Sequence, residues 1–477
     1  METITRYYFT LFLQYFDLQL QIHQIKCILL QKTHKRVNMI LNIELRNYRS
    51  FKNEASFSLV AESSSKTKEQ NVFVQQLARG EDDVRLLKTA MLFGANASGK
   101  SNLLRAIFEI TKFIGKYKPK AGEPISMYDP FRFAAETVEA PIEFKIDFAG
   151  KDEIKYSYKI SFNKENVISE ELYYYPNKKE TILFTRVVPE LPNAIKHTGK
   201  LGTSLKYTKY IEVFHNQALL SKFGEEIPNE LITPVYIYIT QIDVLNACNT
   251  RMLTQIFNET RSKLATDSEL LKKMNELLRF ADTGLKGVSI KELTEDQFNF
   301  PSDISNDIKN QFMKDNKHFM TSQHSFFEND ELKRTDEPLP FQEESKGTNT
   351  IFALGGRILQ ALENGEILFV DEIDANLHPY LSKLLVTLFQ SSHINKHNAQ
   401  LIFTSHNPVL LDRTLFRKDQ IWFTEKDEFG VSDLYSLQDF NDVREDTPFD
   451  KWYLAGKFGG VPNIKSLESL FVDGKIN

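Results

Sequence analysis

Met91-Leu92-Phe93-Gly94-Ala95-Asn96-Ala97-Ser98-Gly99-Lys100-Ser101-Asn102 decides how the rest of this sequence is read. Gly94, Gly99, Lys100 and Ser101 fit the spacing G-x-x-x-x-G-K-[ST]. The apolar Ala90 to Phe93 before it reads as a buried strand, and Leu103, Leu104, Ile107, Phe108 and Ile110 after it recur at helical spacing. A strand, a glycine loop and a helix in that order can cradle phosphates. The glycines let successive N–H groups of Asn96, Ala97, Ser98, Gly99, Lys100, Ser101 and Asn102 face phosphate oxygens, and the helix start adds its positive end. Lys100 is placed to reach the β- and γ-phosphates, and the Ser101 hydroxyl to ligate Mg²⁺. The alternative is a chance glycine loop, which the flanking strand and helix argue against. The stretch predicts a site for a nucleoside triphosphate with Mg²⁺.

A second group of polar residues lies about 250 positions downstream. Glu366-Ile367-Leu368-Phe369-Val370-Asp371-Glu372-Ile373-Asp374 describes a buried strand that delivers acids at its C-terminal end, where open α/β sheets bind ligands. Asp371 would hold Mg²⁺, directly or through water, opposite Ser101. Glu372, one residue on, is placed to take a proton from an attacking water. Gln400-Leu401-Ile402-Phe403-Thr404-Ser405-His406 is a further buried strand ending in a histidine, and Glu344-Ser345-Lys346-Gly347-Thr348 precedes a helical run over Ile351 to Leu362. Each alone has a plain structural reading, as a strand exit or a satisfied polar group. Their order after a phosphate loop is hard to assign to chance.

Length and composition set the frame. At 477 residues the chain can hold two or three units and a large core, and its 41% hydrophobic and 26% charged residues are ordinary globular values. A net charge of −5 excludes a whole-chain basic field for nucleic acid. No run approaches the ~18–20 apolar residues of a membrane span. Two cysteines, Cys27 and Cys248, show no metal spacing and suit a reduced, cytoplasmic compartment; both are expected to fill core. His393 and His397, four apart on a candidate helix, lack the glutamate of a zinc H-E-x-x-H motif and read as a solvated face.

Going along the chain, residues 1–38 form an N-terminal extension, either an appended amphipathic helix or a stretch upstream of a true start at Met39. Ile40–Leu45 and Ala55–Val60 predict two strands about a short turn, and Ser63–Gln70 a loop. Ile142–Phe148, Lys155–Phe162 and Glu171–Tyr175 alternate as an antiparallel sheet, in which Tyr173-Tyr174-Tyr175 is a sheet position rather than a base-stacking platform. Val235–Ile239 reads as another strand, Asn246–Phe280 as mostly helical, and Phe298–Pro340 as the least structured part. The divisions are 1–38, 39–240 with the phosphate loop and an antiparallel β-subdomain, 241–340 as a helical and polar insertion, 341–440 with the second acid cluster, and a tail over 441–477.

These residues together resemble the head of an ABC-type ATPase, closest to the RecF, SMC and OLD-like "AAA family ATP-binding proteins". The opening Ile43-Glu44-Leu45-Arg46-Asn47-Tyr48-Arg49-Ser50-Phe51 is similar to their first strand. Val443-Arg444-Glu445-Asp446 and Tyr453-Leu454-Ala455-Gly456-Lys457-Phe458-Gly459-Gly460-Val461-Pro462 resemble the RloA-type subgroup of phage-defence loci. The resemblance implies an α/β P-loop NTPase head with a mixed, largely parallel core sheet, an antiparallel β-subdomain and a mostly helical insertion. It implies that Ser345 and Gly347 are signature residues contacting ATP held by a second copy, that Asp374 is the D-loop residue, and that His406 senses the γ-phosphate. It places Arg49 near the nucleotide. Lys100, Glu372 and His406 then carry catalysis in an ATP-linked homodimer or higher oligomer. A separate nuclease or RloB-like effector, and nucleic acid, are the further partners it raises, with no membrane. The signature here is Glu-Ser-Lys-Gly-Thr rather than Leu-Ser-Gly-Gly-Gln, and no glutamine occurs between Ser101 and Gln217, so the Q-loop residue is unassigned. Other readings are an ATP-binding scaffold with negligible hydrolysis and a RecF-like repair ATPase. A fused nuclease is disfavoured by the short stretch after His406, and a transporter subunit by the long span between Lys100 and Asp371.

Overall fold

The computed structural model describes residues 39–63, 68–77, 82–117, 119–187, 195–196, 213–281, 283–298, 300, 304–444 and 446–462. The proposed N-terminal helix with Cys27, and the tail beyond 462, lie outside the described residues.

The chain enters through β1 (Met39–Arg46), whose alternation buries Ile43 and Leu45 and pairs it antiparallel with β2 (Ala55–Ser58). A small ribbon, β3 (Val72–Gln75) with β4 (Val84–Leu87), leads into β5 (Thr89–Gly94), in which every residue is buried. Helix α1 (Lys100–Gly115) follows the phosphate loop and buries Leu103, Leu104, Ile107, Ile110, Phe113 and Ile114 along one stripe. Four strands then run antiparallel: β6 (Ile142–Ala149), β7 (Lys155–Phe162), β8 (Val167–Tyr175) and β9 (Thr181–Val187). With the short β10 (Ile195–Lys196) they make a seven-stranded sheet in the order β10-β9-β8-β7-β6-β1-β2. Tyr174 sits within β8, as the alternation predicts, and is buried.

Val235–Ile239 is not a strand. It lies inside α2 (Thr233–Thr240), with a proline in the first turn and Val235, Tyr238 and Ile239 buried. A short apolar run cannot be assigned by periodicity alone, and here the proline-started turn and burial override the β-prone residues. The edge strand β11 (Asp243–Asn246) comes next, then α3 (Thr250–Leu264) and α4 (Ser268–Phe280), capped by Asn249 and Asp267.

The segment 298–340 is also more ordered than its polar composition suggests. After β12 (Gly287–Glu292) it contains α5 (Asn306–Asn316) and the hairpin β13 (His318–Glu328) and β14 (Glu331–Pro340), so β12-β13-β14 is a three-stranded sheet. Most of β14 is exposed, which removes the apolar alternation that marks a half-buried strand.

The remaining elements are α6 (Lys346–Asn364), β15 (Ile367–Asp371), α7 (Pro379–Gln390), β16 (Gln400–Ser405), β17 (Ile421–Lys426), β18 (Ser432–Ser436) and the short α8 (Phe449–Leu454). The central sheet runs β11-β15-β16-β5-β17-β18, parallel except for β18. Alternation along its strands separates two apolar layers. Ala90, Leu92, Phe369 and Ile402 face α1 and the antiparallel sheet, while Met91, Phe93, Leu368, Val370 and Phe403 face α3, α4, α6 and α7. Gly355 and Gly356 of α6 let it approach closely: a Cβ on Gly355 would lie 2.5 Å from Leu277 of α4, and one on Gly356 would overlap Thr260 of α3.

Among the described residues, no helix is long and apolar enough to cross a membrane.

Candidate functional site

Parallel strands of one sheet bring their C-terminal ends to one edge, and the sequence motifs converge there. Gly94 ends β5, Asp371 ends β15, His406 follows β16 and Asn246 ends β11. The phosphate loop leaves β5 through Gly94 at φ +153°; a Cβ there would lie 2.8 Å from Ser98 Oγ and closer still to the Thr424 carbonyl of β17. Gly99 precedes the first turn of α1 at φ +125°, a conformation that a side chain would strain. No side chain caps this helix start; the Asn102 N–H turns back to Gly99 O at 2.9 Å, which leaves the Lys100 and Ser101 N–H groups for an anion. Ser98 Oγ bonds Thr424 Oγ1 at 2.5 Å, and Ser432 Oγ donates to Ser98 O at 2.6 Å, which braces the loop from β17 and β18.

Lys100 is buried, and its ammonium donates to Gly94 O at 2.8 Å and Ala95 O at 2.9 Å. Burial pushes its pKa down to about 8, against the opposing pull of Asp371, Glu372 and Asp374. Asn96 and Ala97 are exposed at the loop crest, with Ala97 at φ +62°. Asn102 is engaged from the side: its amide donates to Ser50 Oγ at 2.7 Å and its oxygen accepts from Arg49 at 3.1 Å. Arg49 therefore reaches the first turn of α1, steadied by an ion pair with Asp129 at 3.0 Å.

Asp371 is buried and its carboxylate gathers three donors. Oδ1 accepts from Ser101 Oγ at 3.0 Å and Thr404 Oγ1 at 2.7 Å, and Oδ2 accepts from Asn246 Nδ2 at 3.0 Å. Glu372, at φ +57°, is half-buried; its N–H donates to Thr404 Oγ1 at 2.7 Å. One carboxylate oxygen lies 3.6 Å from His406 Nε2 and the other accepts from Cys248 Sγ at 2.6 Å. Partial burial, then that hydrogen bond and the nearby acids, push the Cys248 thiol up to about 12, so it is a donor at neutral pH. Cys248 is exposed at this edge and does not fill core, because β11 carries it past the end of the sheet. Asp374 Oδ1 is buried without a hydrogen-bond partner. The Ser101 hydroxyl on the Asp371 carboxylate is an all-oxygen pair that fits Mg²⁺.

Ser345 and Gly347 stand apart from this group. Ser345 caps α6, its Oγ accepting from Thr348 N at 3.1 Å, and a Cβ on Gly347 would lie 3.2 Å from Asn376 O. Among the described residues no hydrogen bond or ion pair joins either to residues 94–102. Glu344 beside them accepts from Ser322 Oγ at 2.5 Å and pairs with His324 Nε2 at 2.8 Å, which ties the β13–β14 hairpin to this corner. His393 and His397 lie in turns after α7 rather than on a helix.

Thr404, Asn246 and Cys248 were not singled out by motif reading. A threonine following the apolar run Leu401–Phe403 near the end of a buried strand is the one available signal for Thr404. Asn246 and Cys248 act through strand pairing, which spacing does not reveal. The tail is a further addition: Tyr453 OH donates to Gly460 O at 2.9 Å, and the Cβ position of Gly460 is 3.4 Å from Gly94 Cα, so the glycine-rich tail packs on the start of the phosphate loop.

Fold and site together define a P-loop nucleotide-binding protein of the α/β class. The chain belongs to the family described as "AAA domain, putative AbiEii toxin, Type IV TA system", whose model matches residues 90–187 and 252–412. No curated protein matches the sequence. Similar solved structures include the SMC head domain from Thermotoga maritima, at 12% identity over 83% of this chain and 98% of that one, with a TM-score of 0.36. An SmcHead bound to the C-winged helix domain of ScpA matches at 12% identity, over 83% and 97%, with a TM-score of 0.38. The recombination mediator protein RecF with ATPrS matches at 13% identity, over 84% and 100%, with a TM-score of 0.33.

Proposed function

We propose that this chain binds and hydrolyses ATP, and that two copies close around the nucleotide. The observation that carries the reading is the cluster at the sheet edge: Ser101 on Asp371, with Glu372 one residue on and Lys100 opposite. The phosphate loop N–H groups and Lys100 bind the phosphates, with the Lys100 ammonium exchanging the Gly94 and Ala95 carbonyls for phosphate oxygens. Ser101 and Asp371 would hold Mg²⁺, which when bound neutralises charge on the β- and γ-phosphates. Glu372 takes the proton of the attacking water, and His406, 3.6 Å from its carboxylate, meets the γ-phosphate. Ser345 and Gly347, apart from the chain's own phosphate loop, complete the site of a second copy, with Asp374 at the seam. Hydrolysis then opens the pair, so the protein acts as a switch.

The family's description, with its toxin–antitoxin setting, and the tail's resemblance to the RloA-type group support a role in bacterial anti-phage defence. A separate effector, such as a nuclease or RloB-like protein, would receive the signal, in the cytoplasm. Phosphate release by the purified chain with Mg-ATP tests the core of this reading. Turnover that requires Mg²⁺ and vanishes in Asp371→Asn is expected; equal rates in that variant and the unaltered chain would overturn it.

A further inference from the structure

The end of β11 supplies two side chains to the acid cluster, one to each carboxylate. Parallel pairing sets Asn246 level with Asp371, and Ala247 N–H continues the ladder by donating to Asp371 O at 2.9 Å. That in-register passage brings Cys248 beside Glu372. Its own N–H donates to Asn246 Oδ1 at 2.9 Å, so the backbone carrying the thiol is held on both sides. Its Sγ reaches Glu372 Oε2 at 2.6 Å.

Glu372 needs such a restraint. Its backbone is fixed by Thr404, but the side chain is about one-third exposed and has three torsions between Cα and the carboxylate. His406, at 3.6 Å, lies beyond direct hydrogen-bond distance of the other oxygen, Oε1. A general base works only when its carboxylate faces the water within hydrogen-bond reach. Cys248 is the one side chain among the described residues that hydrogen-bonds to this carboxylate.

We infer that Cys248 is a positioning residue for Glu372, its thiol holding Oε2 so that Oε1 faces His406 and the attacking water. The inference rests on reading Glu372 as the general base. A thiol suits the task because S–H is a weak donor. It orients the carboxylate without occupying it as strongly as an amide or ammonium would, and it leaves Oε1 free to take a proton. Asn246 does the parallel job for Asp371 with a stronger donor, on a carboxylate that acts as a ligand rather than a base.

The test is steady-state phosphate release by the full chain, comparing Cys248→Ala, Cys248→Ser, Glu372→Gln and the Cys248→Ala/Glu372→Gln double variant. Cys248→Ala is expected to lower kcat about ten-fold, the usual scale for one hydrogen bond to a charged group, with KM for ATP unchanged. Cys248→Ser should recover most of that loss, because its hydroxyl can donate to the same oxygen. In the Glu372→Gln background the alanine should cost nothing further, since the base it serves is gone. Unchanged kcat in Cys248→Ala beside an inactive Glu372→Gln would overturn the positioning role, and so would equal losses in the alanine and serine variants. Full turnover in Glu372→Gln would instead overturn the general-base reading itself.

Discussion

Ser101 Oγ donates to Asp371 Oδ1 across 3.0 Å, although 270 positions separate them in the chain. The strand order explains how they meet. Asp371 ends β15 and the phosphate loop leaves β5, with β16 between them, a span of two strand spacings or roughly 9–10 Å. Thr404 of β16 stands in that gap and donates to the same carboxylate oxygen. The acid and the phosphate loop are therefore joined over the middle strand.

Thr404 accordingly connects both acids, accepting the Glu372 N–H while donating to Asp371. Thr404→Val keeps the shape and removes both bonds. Hydrolysis should fall ten-fold or more, given about 1.5–3 kcal/mol for a hydrogen bond to a charged group. Nucleotide affinity, set by the loop and Lys100, should stay near that of the unaltered chain. Phosphate-release and binding assays run side by side would check this, and equal turnover would remove Thr404 from the working site.

Lys100→Ala addresses binding itself. The ammonium is buried beside the loop and faces the place where phosphate charge would sit. Losing its charged hydrogen bonds should weaken ATP binding by roughly 10- to 100-fold. Titration with a fluorescent ATP analogue measures it, and an unchanged Kd would sink the phosphate-loop assignment.

What the sequence disclosed and what it hid follow physical lines. Ala90–Phe93, Leu368–Val370 and Leu401–Phe403 are buried on both faces, so they read as continuous apolar runs of a parallel sheet. The antiparallel strands at Ile142–Ala149 and Lys155–Phe162 alternate and were equally legible. The exposed β14 offers neither pattern, and α2 offers an apolar run that strand and helix share. In the site, the acids and the lysine sit in local motifs, whereas Asn246 and Cys248 reach Asp371 and Glu372 across 125 and 124 positions through strand register. Register is a tertiary fact, and no local spacing encodes it.

Packing of α3 on α6 is testable through Gly356. A side chain there meets Thr260 of α3, in a core layer with no slack. Gly356→Val should destabilise the chain by about 1–3 kcal/mol, since overpacking outweighs the gain in helix propensity. Adding Thr260→Ala should return part of the loss. Denaturant midpoints would show both effects, and a neutral Gly356→Val would argue that α3 and α6 are not in contact.

Glu170 in β8 probes the antiparallel sheet. It is fully buried and accepts from Tyr158 OH at 2.9 Å, Leu219 N at 2.5 Å and Leu220 N at 2.8 Å, with Arg186 Nη1 at 3.7 Å. Burial raises its pKa, and Arg186 and these donors pull it back down. Glu170→Ala leaves a buried arginine and three donors without their shared acceptor. The expected cost is about 3–5 kcal/mol, read as a lower thermal midpoint. A loss below ~1 kcal/mol would mean that the site relaxes to let water in.

Glu372→Gln separates binding from chemistry. It keeps the size of the side chain and can still accept from Cys248, but it cannot take a proton from water. ATP should bind, because Ser101, Lys100 and Asp371 are untouched, while hydrolysis should fall by roughly 10²- to 10⁴-fold, the usual contribution of a positioned base. On the proposed closure, Ser345 and Gly347, which make no bond to residues 94–102 of their own chain, act on the phosphate of a second copy. An enzyme that binds ATP without turning it over should then accumulate in the closed, ATP-bound pair. Adding Ser345→Arg should disperse that pair, since a bulky cation would fill the space where the facing nucleotide sits. Light scattering with and without ATP reads the outcome. An assembly state that ignores ATP in Glu372→Gln would leave the phosphate loop standing and refute closure between copies.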